Sequence, residues 1–449
     1  MIILMALIVL VIVMVMGVPV PLAFVASAIV LCFSNGNDPM MLLVNGYNSI
    51  NTVLLLTIPL FVLAGSIINN GGLGEKLVGA VEHTPIGRMK GGLGVVTVVA
   101  SAVFGAVSGS SSATVSCIGA IMAPRLKKNG YPDGLIGALI ASSGVLGILI
   151  PPSMLMILFA WGSNTSVLGC FLATVPSGIL LVCLLSAVNC YIYRKSAGKG
   201  NITDAIIQDA QAKEALKAER KEKRKEKKIK KAAGESALPA LLMPVIILGS
   251  IYMGYLTATE AAALSVLYGI PVGIFYYKKI NWPVYKKAMV DAGKTAGVIM
   301  SMVLTVQILS RLYITENLPD MILGILTSIS SNKYIILLMI NVFMVFMGML
   351  MDDTSNTILL TPILMPVMTS LGISPFHFAA ILGVNIGMGN VTPPTAPLLY
   401  LSARITGSKV EKMLKPTMML ILFAWLPTLL ITTYWHSFAE FLPRILGYM

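Results

Sequence analysis

GILIPPS, residues Gly147 to Ser153, breaks an apolar run that extends from 134 to 163, and GNVTPPT, residues Gly389 to Thr395, breaks a second from 376 to 406. Proline has no N–H to offer the preceding turn, and its ring crowds the carbonyl four residues back. The pairs Pro151, Pro152 and Pro393, Pro394 therefore interrupt helices otherwise long enough to cross a bilayer. Carbonyls around Gly147, Ile148, Gly389 and Val391 are expected to lose their helical partners there. The two breaks lie 242 residues apart, and Pro124 with Pro366 and Gly130 with Gly372 keep the same offset. Five matches in register across 29 residues point to a duplicated unit. In that register Ser110 to Thr114 falls on Asp352 to Asn356, and Ser153 falls on Thr395.

Of the 449 residues 56% are apolar and 11% charged, with a mean hydropathy of +0.86. That excludes an ordinary soluble domain, in which about a quarter of residues are charged. A net charge of +13 raises the question of a nucleic acid or an anionic surface. The charge is local, since fourteen basic and six acidic residues between Arg194 and Lys231 supply +8 of it. Loop 194–236 is therefore expected as a solvated cytoplasmic linker resting on anionic lipid, with no nucleic-acid partner. The five cysteines sit in or beside apolar runs without CxxC spacing and are expected as packing, as are the methionines. The start, MIILMALIVLVIVMVMGVPVPLAF, lacks a basic leader and a cleavage site, so it is expected as the first span.

Apolar segments run at about 1–16, 18–33, 52–70, 93–123, 134–163, 166–193, 237–255, 258–277, 294–314, 334–370, 376–406 and 416–435. Basic loops orient them, because Lys and Arg favour the cytoplasmic side. With 194–236 inside, the turn holding Arg125, Lys127 and Lys128 and the loop holding Lys76, Arg88 and Lys90 also fall inside. Both ends of 93–123 then face one side. Its 31 residues reach about 46 Å at about 1.5 Å each, too little to cross a 30 Å hydrocarbon core twice. A re-entrant hairpin with its apex at Ser108 to Ser112 is expected, and 334–370 is read as a second, entered from outside, with its apex at Asp352 to Asn356. The alternative for each is one long kinked span. Lys278, Lys279, Lys409, Lys412 and Lys415 place the ends of 258–277 and 376–406 inside.

The expected fold is an all-α polytopic membrane protein with about 10 spans and two re-entrant hairpins in two inverted repeats, 1–193 and 237–449, joined by 194–236. Inverted repeats with broken helices point to a secondary transporter whose site lies near the midplane. Hydroxyls and unpaired carbonyls suit a desolvated monovalent cation, and helix N-termini favour an anionic group. One cation site per repeat is expected. The first draws on Ser108, Ser110, Ser111, Ser112 or Thr114 with the backbone near Gly147. The second draws on Asp353, Asn356 or Thr357 with the backbone near Gly387, Gly389 and Thr392.

Each of these residues has a plainer role open to it. Serine and glycine in membrane helices also serve close packing, and Asp352 and Asp353 are merely solvated if their apex reaches the surface. Ser153, Thr395 and Arg311 are candidates to touch the substrate, although Arg311 has the option of snorkelling and Glu260 that of capping the helix after Thr257. An intramembrane protease is the remaining alternative class. Adjacent aspartates fit a two-helix dyad poorly, and none of His83, His377 and His436 is expected at the depth of the serines.

The chain resembles the large (M) subunit of tripartite ATP-independent periplasmic (TRAP) transporters, the DctM-like permeases. The resemblance is carried by IPLFVLAGSIINNGGLGEKLV (58–78), GGLGVVTVVASAVFGAVSGSSSATVSCIGAIMAP (91–124), GVLGILIPPSMLMILFAW (144–161), GYLTATEAAA (254–263) and GISPFHFAAILGVNIGMGNVTPP (372–394). It implies sodium-coupled uptake of an organic acid such as a C4-dicarboxylate or sialic acid, and an elevator-type moving part holding both hairpins. It implies a bacterial inner-membrane location, a small four-span membrane subunit not fused to this chain, and a periplasmic substrate-binding protein. Family sodium sites fall on Ser108 to Thr114 with Gly147, and on Asp353 to Asn356 with Gly389 and Thr392. Two features depart from the family pattern: the long basic linker, and DDTSNT where a single acid followed by apolar residues is usual. A stand-alone sodium and carboxylate symporter is the runner-up.

Overall fold

The computed structural model describes residues 2–36, 38–82, 84–197 and 238–449, and among them every regular element is helical. The first half runs α1 (Ile2–Val15), α2 (Val20–Asn35), α3 (Pro39–Ile50), α4 (Thr57–Asn70), α5 (Leu73–Glu82), α6 (Gly92–Ser108), α7 (Ser111–Lys128), α8 (Asp133–Gly144), α9 (Leu146–Leu149), α10 (Met154–Ser163) and α11 (Val167–Ala197). The second half runs α12 (Leu238–Tyr252), α13 (Ala258–Pro271), α14 (Trp282–Thr315), α15 (Leu318–Ile329), α16 (Lys333–Leu350), α17 (Asp353–Ser370), α18 (Pro375–Gly389), α19 (Pro397–Thr406), α20 (Val410–Leu420), α21 (Leu426–Tyr434) and α22 (His436–Ile445).

Among the described residues six helices are long and apolar enough to cross a membrane, or seven when the bent pair α8–α9 and α10 counts as one. This is fewer than the ten or so expected, because α1, α2 and α12 hold only 14, 16 and 15 residues. Gly17 with Pro19 and Gly36 cut the first two short, since a positive φ or a missing N–H ends a helix inside an apolar run. Two further boundaries differ. Helix α11 continues through Arg194 and Lys195 to Ala197, past the expected start of the linker, whose residues 198–236 lie outside the described ones. The span expected at 294 begins at Trp282, where Asn281 caps the helix by accepting from Val284 N–H at 3.1 Å.

The elements from 92 to 163 recur 242 residues on: α7 starts at 111 and ends at 128, and α17 starts at 353 and ends at 370. Both Pro–Pro bonds are cis, and Gly130 and Gly372 both have φ near +70° after those helices. The halves differ between these elements and their N-terminal parts. Asn51 and Thr52 are non-helical and separate α3 from α4, whereas α14 runs unbroken through 34 residues.

Loops gather at two ends. At one end Lys279 pairs with Glu75 at 2.8 Å, Arg125 pairs with Glu82, and Ser408 Oγ donates to the Asp133 carbonyl at 2.8 Å. At the other, Ser374 Oγ donates to Glu440 at 2.6 Å, Asn341 donates to Thr433 Oγ1 at 3.0 Å, and Tyr434 OH donates to the Tyr334 carbonyl at 3.1 Å. Helices after the breaks cross over: α10 packs on α17, and α19 packs on α7 and α8. Helix α14 packs on α2, α3 and α4, and also against α17.

Candidate functional site

Both hairpins form by local chemistry. Helix α6 ends at Gly109, whose φ of +61° is open to glycine, and Ser110 then caps α7 in extended backbone. The second apex does without glycine: Met351 is extended, and Asp352 caps α17 by accepting from Thr354 N–H at 3.1 Å and Ser355 N–H at 3.5 Å. The Ser355 hydroxyl also donates to Asp352. Each break is then tied to its neighbouring hairpin. Met154 N–H donates to the Gly109 carbonyl at 3.2 Å, and Thr395 Oγ1 donates to the Met349 carbonyl.

The first expected cation site holds together around Gly147. Thr114 Oγ1 donates to the Ser110 carbonyl at 2.8 Å and lies 3.2 Å from Ser108 Oγ, with both side chains buried. A Cβ added at Gly147 would come within 2.5 Å of the Ser110 carbonyl oxygen and of Thr114 Oγ1. Glycine is therefore what leaves this oxygen cluster its room. The next carbonyl partner in a continuing helix would be the N–H of residue 151, and Pro151 has none.

The second site is assembled differently from its expectation. Asn356, the register mate of Thr114, donates to the Met351 and Asp352 carbonyls at 3.0 and 3.2 Å. Its Oδ1 is buried and has no donor, an acceptor free for a cation. Asn390, which the sequence argument passed over, sets its side-chain amide against the Gly348 and Met351 carbonyls, 2.9 and 3.2 Å away when its nitrogen is assigned to that side. Gly389 does not offer a free carbonyl, because Thr392 N–H donates to it at 3.0 Å in the turn that follows the helix. Thr392 Oγ1 is turned to Met388 O at 2.6 Å, and Thr357 Oγ1 to Asp353 O at 2.8 Å. Gly387 packs elsewhere, where a Cβ would meet Val145 and Trp425.

Asp353 joins the two hairpins. Its carboxylate accepts the Ser111 hydroxyl across the apices, so residues assigned to separate sites touch each other. Ser111 and Asp353 are 242 apart, and so are Val145 and Gly387, which also meet. Between the apices lies a cavity of about 450 Å³. Four pairs of its lining residues keep the same offset: Ser110 with Asp352, Ser112 with Thr354, Ile148 with Asn390, and Leu155 with Pro397. The facing wall comes from α14 alone, as Lys294, Thr295, Val298, Ile299 and Met302. Their spacing of one, four, five and eight residues puts them on one helix face, and that pattern was the sequence signal for them. Ser153 is buried and caps α10; Thr395 and the exposed Arg311 do not line the cavity. Glu260 forms a capping box with Thr257.

The family described as the tripartite ATP-independent periplasmic transporter, DctM component, matches residues 7–437. The isethionate TRAP transporter permease protein DctMQ of Oleidesulfovibrio alaskensis is 30% identical over 86% of this chain and 58% of its own length, so the chain spans less than two thirds of that relative. The C4-dicarboxylate TRAP transporter large permease protein DctM of Pseudomonas aeruginosa is 31% identical over 88% of this chain and 87% of its own. Among solved structures, the YdaH transporter of Alcanivorax borkumensis aligns with a TM-score of 0.62 over 88% of this chain and 87% of that one, at 15% identity.

Proposed function

Since the chain belongs to the DctM component family of tripartite ATP-independent periplasmic transporters and is a large permease of that kind, we propose that it carries an organic acid across the bacterial inner membrane, coupled to sodium. The carrying observation is the pair of oxygen clusters beside the two breaks. The oxygens of the Gly147 cluster approach so closely that a Cβ there would strike them, and the Asn356 cluster holds a buried acceptor with no donor. A buried acceptor without a donor, such as Asn356 Oδ1, is costly unless something coordinates it. Sodium would be held by the Ser110 carbonyl, Thr114 Oγ1 and Ser108 Oγ near Gly147, and at the second apex by Asn356 Oδ1.

The cavity between the apices takes the substrate. Ser111 with Asp353 and Val145 with Gly387 are residues of equal register that lie close together, as mates near a two-fold axis would. This supports the reading of two inverted repeats, and an elevator-like motion of the hairpin bundle against α14 is part of the proposal. The clustering of Glu75, Lys279, Asp133 and Ser408 at one end agrees with placing the basic loops together in the cytoplasm. The named substrates of the two relatives, isethionate and a C4-dicarboxylate, differ in charge, so membership of the family leaves substrate charge open. A small membrane subunit and a periplasmic binding protein complete the proposed assembly, and the relative named DctMQ supports the first of these.

Sodium-dependent thermal stabilisation of the purified chain, with choline as the control cation, tests the ion sites. Thr114→Ala and Asn356→Ala should each lower sodium affinity by about tenfold, the loss of one good oxygen ligand. Unchanged sodium titrations in both variants reject the sites.

A further inference from the structure

We propose that Lys294 receives the carboxylate of the substrate and that the cavity selects a hydroxylated monocarboxylate over a dicarboxylate. The inference rests on reading the cavity as the site of an organic anion. Lys294 is the one cation among the described lining residues, and no described residue forms an ion pair with it. It projects from α14, at the start of the segment read from the sequence as a span. Lys294 is exposed, and its ammonium, unpaired by the described residues, is open to an anionic ligand in the cavity. The two acids of the opposite wall already have donors of their own: Asp352 accepts from the backbone of Thr354 and Ser355, and Asp353 from Ser111.

The wall built from the hairpins and breaks is nearly two-fold symmetric and offers the same kind of group twice. The α14 wall has no counterpart, so it decides which end of a substrate goes where. One carboxylate fits against Lys294 on the α14 wall. The far end then meets Asp352, Asp353, Ser110, Ser112 and Thr354. Carboxylates only accept hydrogen bonds, and hydroxyls both donate and accept. Substrate hydroxyl groups can donate to those aspartates; a second carboxylate would face two acidic side chains with no basic side chain among the described lining residues at that end.

The test uses the full-length chain in nanodiscs, titrated in sodium with gluconate and lactate as hydroxylated monocarboxylates, succinate and malate as dicarboxylates, and glucose as a neutral control. The unfolding temperature reports binding. Gluconate or lactate should bind at least about tenfold more tightly than either dicarboxylate, the factor expected for one charge-assisted contact. Lys294→Gln should weaken that binding by about tenfold or more, and Lys294→Arg should retain most of it. Tighter binding of succinate or malate, unchanged gluconate and lactate titrations in Lys294→Gln, or no binding by any probe overturns the proposal. Sodium stabilisation without added anion is read on every variant. If it survives while Lys294→Gln has no effect on the probes, this inference falls and the sodium reading stands. If it is absent while probe binding depends on Lys294, the sodium reading falls and this inference stands.

Discussion

Gly147 shows how one missing methyl group can make a site. The Ser110 carbonyl and Thr114 Oγ1 both occupy the space that a Cβ would take. Gly147→Ala should therefore push the oxygens apart, with an overpacking cost of about 1–3 kcal/mol and loss of sodium-dependent stabilisation. Thermal unfolding with and without sodium measures both effects. Gly389→Ala has a different expected outcome, because its Cβ would strike the Gly348 backbone 2.6 Å away. Backbone cannot turn aside as a side chain can, so the α16–α18 crossing should open and stability should fall in sodium and in choline alike. The residue types and their register were legible from sequence, since proline and glycine carry fixed backbone chemistry. Which oxygens they face was not: Asn390 enters through folding, and Asp353 turns to Ser111 and away from Asn356.

At the scale of elements, the Ser111–Asp353 contact couples α7 to α17. In a double-mutant cycle on thermal stability, Ser111→Ala and Asp353→Asn should be non-additive by about 1 kcal/mol or more. Additive losses would mean that the apices do not depend on each other. A second coupling holds the C-terminal helix α22 to the start of α18. Burial of Glu440 would raise its pKa, but hydrogen bonds from Ser374 and Arg444 outweigh that and hold it below the ordinary carboxylate range. A depressed folded pKa gives stability that is present above the unfolded value, about 4.3, and is lost as pH falls through the folded one. The protection of α22 amides against exchange, taken relative to their intrinsic rate at each pH, should thus fall as pH drops below the ordinary glutamate range. Glu440→Gln should already exchange faster at pH 7 and show little of that pH response. Apolar length gave the hairpin and broken helices their positions, but not the short helices α3, α5, α15 and α22, nor the start of α14. The α14 run from Trp282 to Thr315 includes Lys286, Lys287, Asp291 and Lys294, charges that a hydropathy reading treats as loop.

At the scale of the whole molecule, the proposed inverted repeat places 128 and 409 on one side of the bilayer and 331 and 371 on the other. With the native cysteines replaced, Lys128→Cys and Lys409→Cys should react with an impermeant thiol reagent only from the cytoplasmic face. Ser331→Cys and Leu371→Cys should react only from outside. Labelling of all four from one face would undo the inverted arrangement. Membrane residence, the doubled unit and the broken helices could be read along the chain, because hydropathy, proline and glycine act within a few residues of themselves. The contact of Ser111 with Asp353, the crossing of α10 onto α17 and α19 onto α7, and the arrival of Lys294 opposite the apices depended on packing between segments far apart in the chain. Local backbone chemistry decides where a helix stops; only the mutual burial of the two halves decides which polar groups those stops bring face to face.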